Sequence, residues 1–112
     1  MPDTNDLETV AFRMVLHPGH RDEYKRRHDE IWPELKSALQ EAGVVDYRIF
    51  LDEGSNHLFA VMTRHKNNTL AALRDCPVNR RWWAMMADIM QTEPDQAPCE
   101  WPLTPVFHLS AK

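Results

Sequence analysis

Tyr24, His28 and Trp32 stand at four-residue intervals in the charged stretch EYKRRHDEIWPEL, residues 23–35. An imidazole titrates close to neutral pH, so His28 is a candidate general acid–base group. Tyr24 shares its helix face one turn earlier and offers a hydroxyl. A plainer reading fits the same pattern: two half-buried residues whose polar tips reach water or backbone. Periodicity alone does not choose between them. The second group with chemical potential is the tandem pair Trp82–Trp83. Neighbours on a helix diverge by about 100°, so one indole must lie at the edge of the apolar arc. Flat aromatic faces at such an edge suit sugar rings or other planar, partly apolar ligands. Trp101, in a proline-rich stretch, is a candidate for a further wall. Core packing plus a dimer contact accounts for these tryptophans equally well.

Other chemistries find little support. The six histidines (His17, His20, His28, His57, His65, His108) are scattered, and no helix carries two at ligand spacing, so no metal site is expected. The sequence has no glycine-rich phosphate loop and no Gly-x-Ser-x-Gly elbow. Cys76 precedes a proline and has no histidine near it in sequence, which argues against a nucleophile.

The elements that must position these residues follow from periodicity. TVAFRMVL (9–16) sets Val10, Phe12, Met14 and Leu16 against Ala11, Arg13 and Val15, a strand with one apolar face and one half-apolar face. A turn at HPGH (17–20) leads into a helix running to Gly43, its stop signal. Tyr24, His28, Ile31, Leu35, Ala38, Leu39 and Ala42 form its inward stripe. Pro33 should kink that helix or restart it with PEL as a new first turn, splaying Tyr24 and His28 off the sheet and opening a cleft. DYRIFL (46–51) and HLFAVM (57–62) read as a hairpin around DEGSN. A short helix at 67–75 is broken by Pro77, a stronger one follows over 78–91, and EPDQAPCEWPLTP (93–105) must be an ordered loop or arm. VFHLS (106–110) is expected to close the chain as the last strand.

Strand, helix, hairpin, helix, strand is the α+β ferredoxin-like βαββαβ order, with a four-stranded antiparallel sheet and both helices on one face. Its other face would be bare and partly apolar, which predicts a homodimer. The chain's 112 residues, 43% hydrophobic and 27% charged, suffice for one core, so residues 9–112 are expected to form one domain behind a flexible polar tail at 1–8. A net charge of −4, with acids interleaved among the bases, argues against nucleic acid. The acidic MPDTND start reads as neither signal nor transit peptide, and no apolar run approaches a membrane span. Two cysteines, Cys76 and Cys99, without secretory context suggest reduced thiols in the cytoplasm.

YKRRHDEIWPEL (24–35), YRIFLD (47–52), RWWAMMADIM (81–90), EPDQAP (93–98) and VFHL (106–109) together resemble the L-rhamnose mutarotase family, in order and spacing, over nearly the whole chain. The resemblance implies a dimer of ferredoxin-like units, in the dimeric α+β barrel manner, without metal or cofactor, that interconverts the α and β anomers of L-rhamnose. It implies His28 as the proton donor, with Tyr24, Tyr47, Trp82 and Trp83 binding the sugar. His108 stands where a tyrosine is expected, and the N-terminus is longer than the family's.

The implied reaction opens the hemiacetal and closes it on the other face. It requires a proton taken from the anomeric hydroxyl and one given to the ring oxygen. His28 is expected to serve the ring oxygen, as acid on opening and base on closure. For the second group, Asp52, Asp88 and a bound water all stay open. Two other classes stay open, and the first of them shares the expected fold. A small monooxygenase, cofactor-free or haem-degrading, would in its haem-degrading form take up haem with a Soret band. A non-catalytic sugar-binding module would bind rhamnose without changing its exchange rate.

Overall fold

A computed structural model describes residues 6–111. Strand β1 spans Leu7–Val15, helix α1 Arg21–Asp29, helix α2 Pro33–Ala42, strand β2 Val44–Asp52 and strand β3 His57–His65. A 3-10 helix, Leu70–Asp75, leads into helix α3, Pro77–Met86, and the two-residue strand β4 is Trp101–Pro102. The sheet order is β2-β3-β1-β4, with antiparallel pairing throughout. This is the expected α+β ferredoxin-like arrangement. β1 begins two residues before the expected start, and residues 1–5 of the expected tail lie outside the described residues.

Register explains which residues face the helices. Phe12 pairs with Ala60 and Met14 with Leu58 across β1 and β3, while Ile49 pairs with Ala60 and Leu51 with Leu58 across β2 and β3. These rows pack with Leu16, Leu35, Val78, Trp82, Met86, Ile89 and Met90 into one core. Leu16, Leu35, Leu58 and Ile89 are the largest fully buried side chains.

Of the two outcomes expected at Pro33, a kink or a restart, the structure has the restart: the stretch up to Gly43 is two helices. Trp32 adopts an extended backbone (φ −64°, ψ 132°), as a residue before proline prefers, and Pro33 opens α2 at its first turn. Gly43 ends α2 at φ 118°, a left-handed conformation natural to glycine. α1 owes little to an apolar stripe, since Tyr24 is its one buried residue. Ion pairs run along it instead: Lys25 with Asp29 at 2.8 Å, Arg26 with Glu30 at 2.8 Å, and Arg27 with Glu23 at 2.7 Å. Such pairs support a helix modestly and are screened by salt. Asp22 and Glu23 in the first turn and Arg26, Arg27 and His28 in the last also suit the helix dipole.

Two expectations are corrected. The helix read over 78–91 ends at Met86, after which Met90 bridges to Leu16 at the sheet edge. The closing strand is Trp101–Pro102, not 106–110: Val106, Phe107 and Leu109 are 92%, 81% and 80% exposed. β4 pairs with β1 at Phe12 and Arg13, and Leu103 gives a last backbone bond to Ala11 at 2.9 Å. Pro102 and Pro105 bring no N–H, so the ladder stops there. Among the described residues no helix is long and apolar enough to cross a membrane.

Candidate active site

The break at residues 30–32 sets α1 apart from α2, and a cleft of about 1030 Å³ opens between the helices and the inner face of the sheet. Tyr24, His28, Tyr47, Trp82 and Trp83 all line it. Three of them touch. The Tyr24 and His28 rings stack at 4.2 Å, 28° from parallel, and Trp82 stands edge-on to His28 at 5.3 Å. Trp32 also meets Trp82 edge-on at 5.2 Å, so the residue that closes the helix break braces the indole. Tyr47 lies on β2 across the cleft, edge-on to Phe12 with the ring centres 6.3 Å apart. Trp83 is the half-buried member of the tandem pair, with the Arg74 guanidinium 5.7 Å from its ring.

His28 has a defined tautomer. Its Nδ1 lies 3.0 Å from the carbonyl oxygen of Tyr24, and a carbonyl only accepts, so Nδ1 carries the hydrogen. In the neutral ring the lone pair is therefore on Nε2. Burial lowers the His28 pKa, opposed in part by the Tyr24 carbonyl and by Asp29, which favours the neutral imidazole at pH 7. Burial raises the Tyr24 hydroxyl well above its ordinary value. It does the same at Tyr47, with Tyr24 and Glu100 adding to the effect. Both phenols thus remain protonated donors in the cleft.

The structure removes both side chains left open for the second proton. Asp88 is held by Arg27, which also pulls its pKa down, and it does not line the cleft. Asp52 accepts from the Gly54 amide at 3.2 Å and the Ser55 hydroxyl at 2.8 Å inside the hairpin turn, also away from the cleft. Trp101 is not a wall either. It pairs with Arg13 on β4, lies under that guanidinium at 4.5 Å, and is not among the lining residues.

Sequence reading missed other lining residues. Asn79 is a buried polar side chain in α3 whose Nδ2 donates to the Leu73 carbonyl at 3.0 Å. Glu93, Ala97, Pro98 and Glu100 bring the proline-rich segment to the cleft. That segment is ordered by Glu93 N–H to Ala97 O at 2.8 Å and by Cys99 N–H to Gln91 O at 3.1 Å. Among the described residues, no three His, Cys, Asp or Glu side chains group as a metal site would require.

The chain matches the family model for L-rhamnose mutarotase over residues 9–109. An L-rhamnose mutarotase of Paraburkholderia phytofirmans is 59% identical over 105 residues, 94% of this chain and 98% of that protein. One from Burkholderia ambifaria is 60% identical over 103 residues, covering 92% and 99%. The crystal structure of an L-rhamnose mutarotase from Formosa agariphila superposes with a TM-score of 0.84 at 43% identity, over 92% of this chain and 99% of that one. A structure from Nitrosomonas europaea described as an antibiotic biosynthesis monooxygenase reaches a TM-score of 0.59 at 11% identity, over 96% and 97%, a likeness of fold alone.

Proposed function

Because the chain belongs to the L-rhamnose mutarotase family, we infer that His28, Tyr24, Tyr47, Trp82 and Trp83 are the residues with which it works on L-rhamnose. The protein is an isomerase that interconverts the α and β anomers of that sugar. The observation that carries the residue assignment is the bond from His28 Nδ1 to the Tyr24 carbonyl. It fixes the ring and leaves Nε2 as the nitrogen for the substrate.

The ring oxygen keeps its place when one anomer becomes the other, whereas the anomeric oxygen moves. A rigid imidazole therefore suits the ring oxygen. Protonated His28 gives its Nε2 proton to that oxygen as the ring opens, and the neutral form takes it back on closure. General acid–base help of this kind contributes about 10²–10⁴-fold. The Tyr24 and Tyr47 hydroxyls hold the sugar's other oxygens, and Trp82 and Trp83 offer apolar faces to its C–H surface and methyl group. The opened sugar turns about one bond before reclosing, so the grip falls on the part that stays still.

The homodimer belongs to the same proposal. The sheet face away from the helices carries Ala11, Val15, Phe59 and Val61 half-buried and Phe50 58% exposed, an apolar surface that a second copy would cover. Both cysteines are free, which fits a reducing cytoplasm.

Exchange NMR on the anomeric protons of L-rhamnose tests the assignment. Wild-type protein should accelerate exchange over buffer, and folded His28→Ala should not. Full activity in that variant would remove His28 from the mechanism.

A further inference from the structure

Mutarotation moves two protons, and His28 accounts for one of them. Glu100 is a carboxylate that lines the same cleft. β4 pairs Pro102 with Phe12 and Trp101 with Arg13, so one step further along the antiparallel register Glu100 falls beside Met14. Strand alternation then puts Glu100 with Phe12 and Met14 on the inner face, opposite to Arg13 and Trp101. Its side chain accordingly lines the cleft that holds His28, and it is near enough to Tyr47 for its charge to act on that phenol. Tyr47 in turn senses Tyr24, which stacks on His28. The other charged walls are committed or of the wrong sign. Arg74 is paired with Asp95 at 2.7 Å, Arg64 with Glu8 at 2.9 Å, and Arg21 with Glu53. Asp29 also lines the cleft and is paired there with Lys25 at 2.8 Å. Glu93 acts on the Cys99 thiol at the base of the loop.

Resting on the mutarotase reading, we propose that Glu100 is the second catalytic residue, the group that takes and returns the proton of the anomeric hydroxyl. On opening, the anomeric O–H proton passes to a Glu100 carboxylate oxygen. The freed electron pair forms the aldehyde C=O, the bond from C1 to the ring oxygen breaks, and the ring oxygen takes the proton of the His28 imidazolium. After rotation about C1–C2 the steps reverse: His28 recovers its proton, the ring oxygen adds to the other face of C1, and the new anomeric oxygen takes the proton from Glu100. One proton resides on the pair throughout, and nothing is consumed. A carboxylate on a flexible stem suits an oxygen that changes position between anomers.

The electrostatics agree with a reversible relay. Glu100 is exposed, but into the cleft, whose walls raise its carboxyl above the usual range against a smaller opposing pull from Arg74. Burial lowers His28. These opposite shifts bring imidazolium with carboxylate and imidazole with carboxylic acid closer in energy than they are in water.

The test is anomeric exchange NMR at several L-rhamnose concentrations with wild type, Glu100→Gln and Glu100→Ala, each checked for fold by near-UV circular dichroism. The expected result is a kcat lower by about a hundredfold or more in E100Q, with KM within a few-fold. Added formate should restore part of the E100A rate, which a merely structural role would not allow. A folded E100Q, or a folded E100A if E100Q does not fold, that keeps kcat within about twofold of wild type overturns the assignment alone. Absence of exchange with the wild type overturns the mutarotase reading, and this assignment with it.

Discussion

Arg27 holds Asp88 with both ends of its guanidinium, Nη1 at 2.8 Å and Nη2 at 3.2 Å from the two carboxylate oxygens. The same Nη1 reaches the Met85 carbonyl at 2.9 Å, and Nε bonds Glu23 at 2.7 Å. Arg27 precedes His28 in α1, while Met85 lies in α3 three residues beyond Trp82. This fork is the polar tie between the helix that carries the imidazole and the helix that carries the indoles.

Replacing Arg27 by Met should therefore weaken folding and disturb catalysis together. Its side chain is 13% exposed, so the loss leaves the Met85 carbonyl short of a partner at a cost of about 1–3 kcal/mol. The urea midpoint should fall with m unchanged, and kcat should drop because α1 can shift against Trp82. A variant with wild-type midpoint and wild-type kcat would show that the tie holds nothing.

Trp82 is braced edge-on by both His28 and Trp32 and is 8% exposed. Trp82→Ala should cost about 3–5 kcal/mol through the cavity it leaves, which blurs any kinetic reading. Trp82→Phe keeps an aromatic face and should stay folded. We expect it to raise KM and lower kcat together, since it alters the sugar's wall and the support of the imidazole. Steady-state exchange rates across L-rhamnose concentrations separate the two; unchanged values of both would remove Trp82 from the site.

Gly43 offers a test of the scaffold without the chemistry. A Cβ there would sit 2.8 Å from the Cβ of Asn68, and the backbone is at φ 118°. Asn68 is itself fixed by a 2.8 Å bond from its Nδ2 to the His65 carbonyl, so it cannot easily yield. Gly43→Ala should lower stability by about 1–3 kcal/mol, read as a fall in thermal midpoint. An unchanged midpoint would mean the α2–β2 corner relaxes freely.

The elements that hold the core were legible where burial writes a period into the chain. Val10, Phe12, Met14 and Leu16 gave β1, and Pro33 with Gly43 bracketed α2. The closing strand was not legible, because its position depends on a vacancy beside β1 and not on local preference. VFHL has the stronger strand composition, yet Trp101–Pro102 takes the edge. Glu100 was hidden for the same reason, since its facing depends on that register. Asp52 and Asp88 looked available in sequence because a turn and an arginine far along the chain were needed to occupy them.

The proposed homodimer makes Phe50 a sensitive position. It is 58% exposed on the outer sheet face, opposite Phe59 on β3. Phe50→Lys should leave the inner core and its cleft untouched and place a charge in the buried interface. Sedimentation velocity should find wild type at twice the monomer mass and the variant shifted toward monomer at micromolar concentration. A monomeric wild type would end the dimer proposal.

The depressed pKa of His28 fixes the sign of a stability dependence on pH. In the unfolded chain His28 titrates near its ordinary value of about 6.5, whereas in the fold burial holds it lower. As pH falls through that window the unfolded state binds a proton that the folded state resists, so stability is lost on acidification. The full contribution is present above the unfolded value and gone below the folded one. Wild type should therefore lose more unfolding free energy between about pH 7.5 and about pH 5.5 than His28→Asn, which has no ring to protonate. The comparison between variants cancels the other titrating groups, Glu100 with its raised carboxyl among them. Urea titrations at both pH values read the difference directly. Equal losses in the two proteins would mean that the folded imidazole titrates as it does in water, and that burial does not depress it.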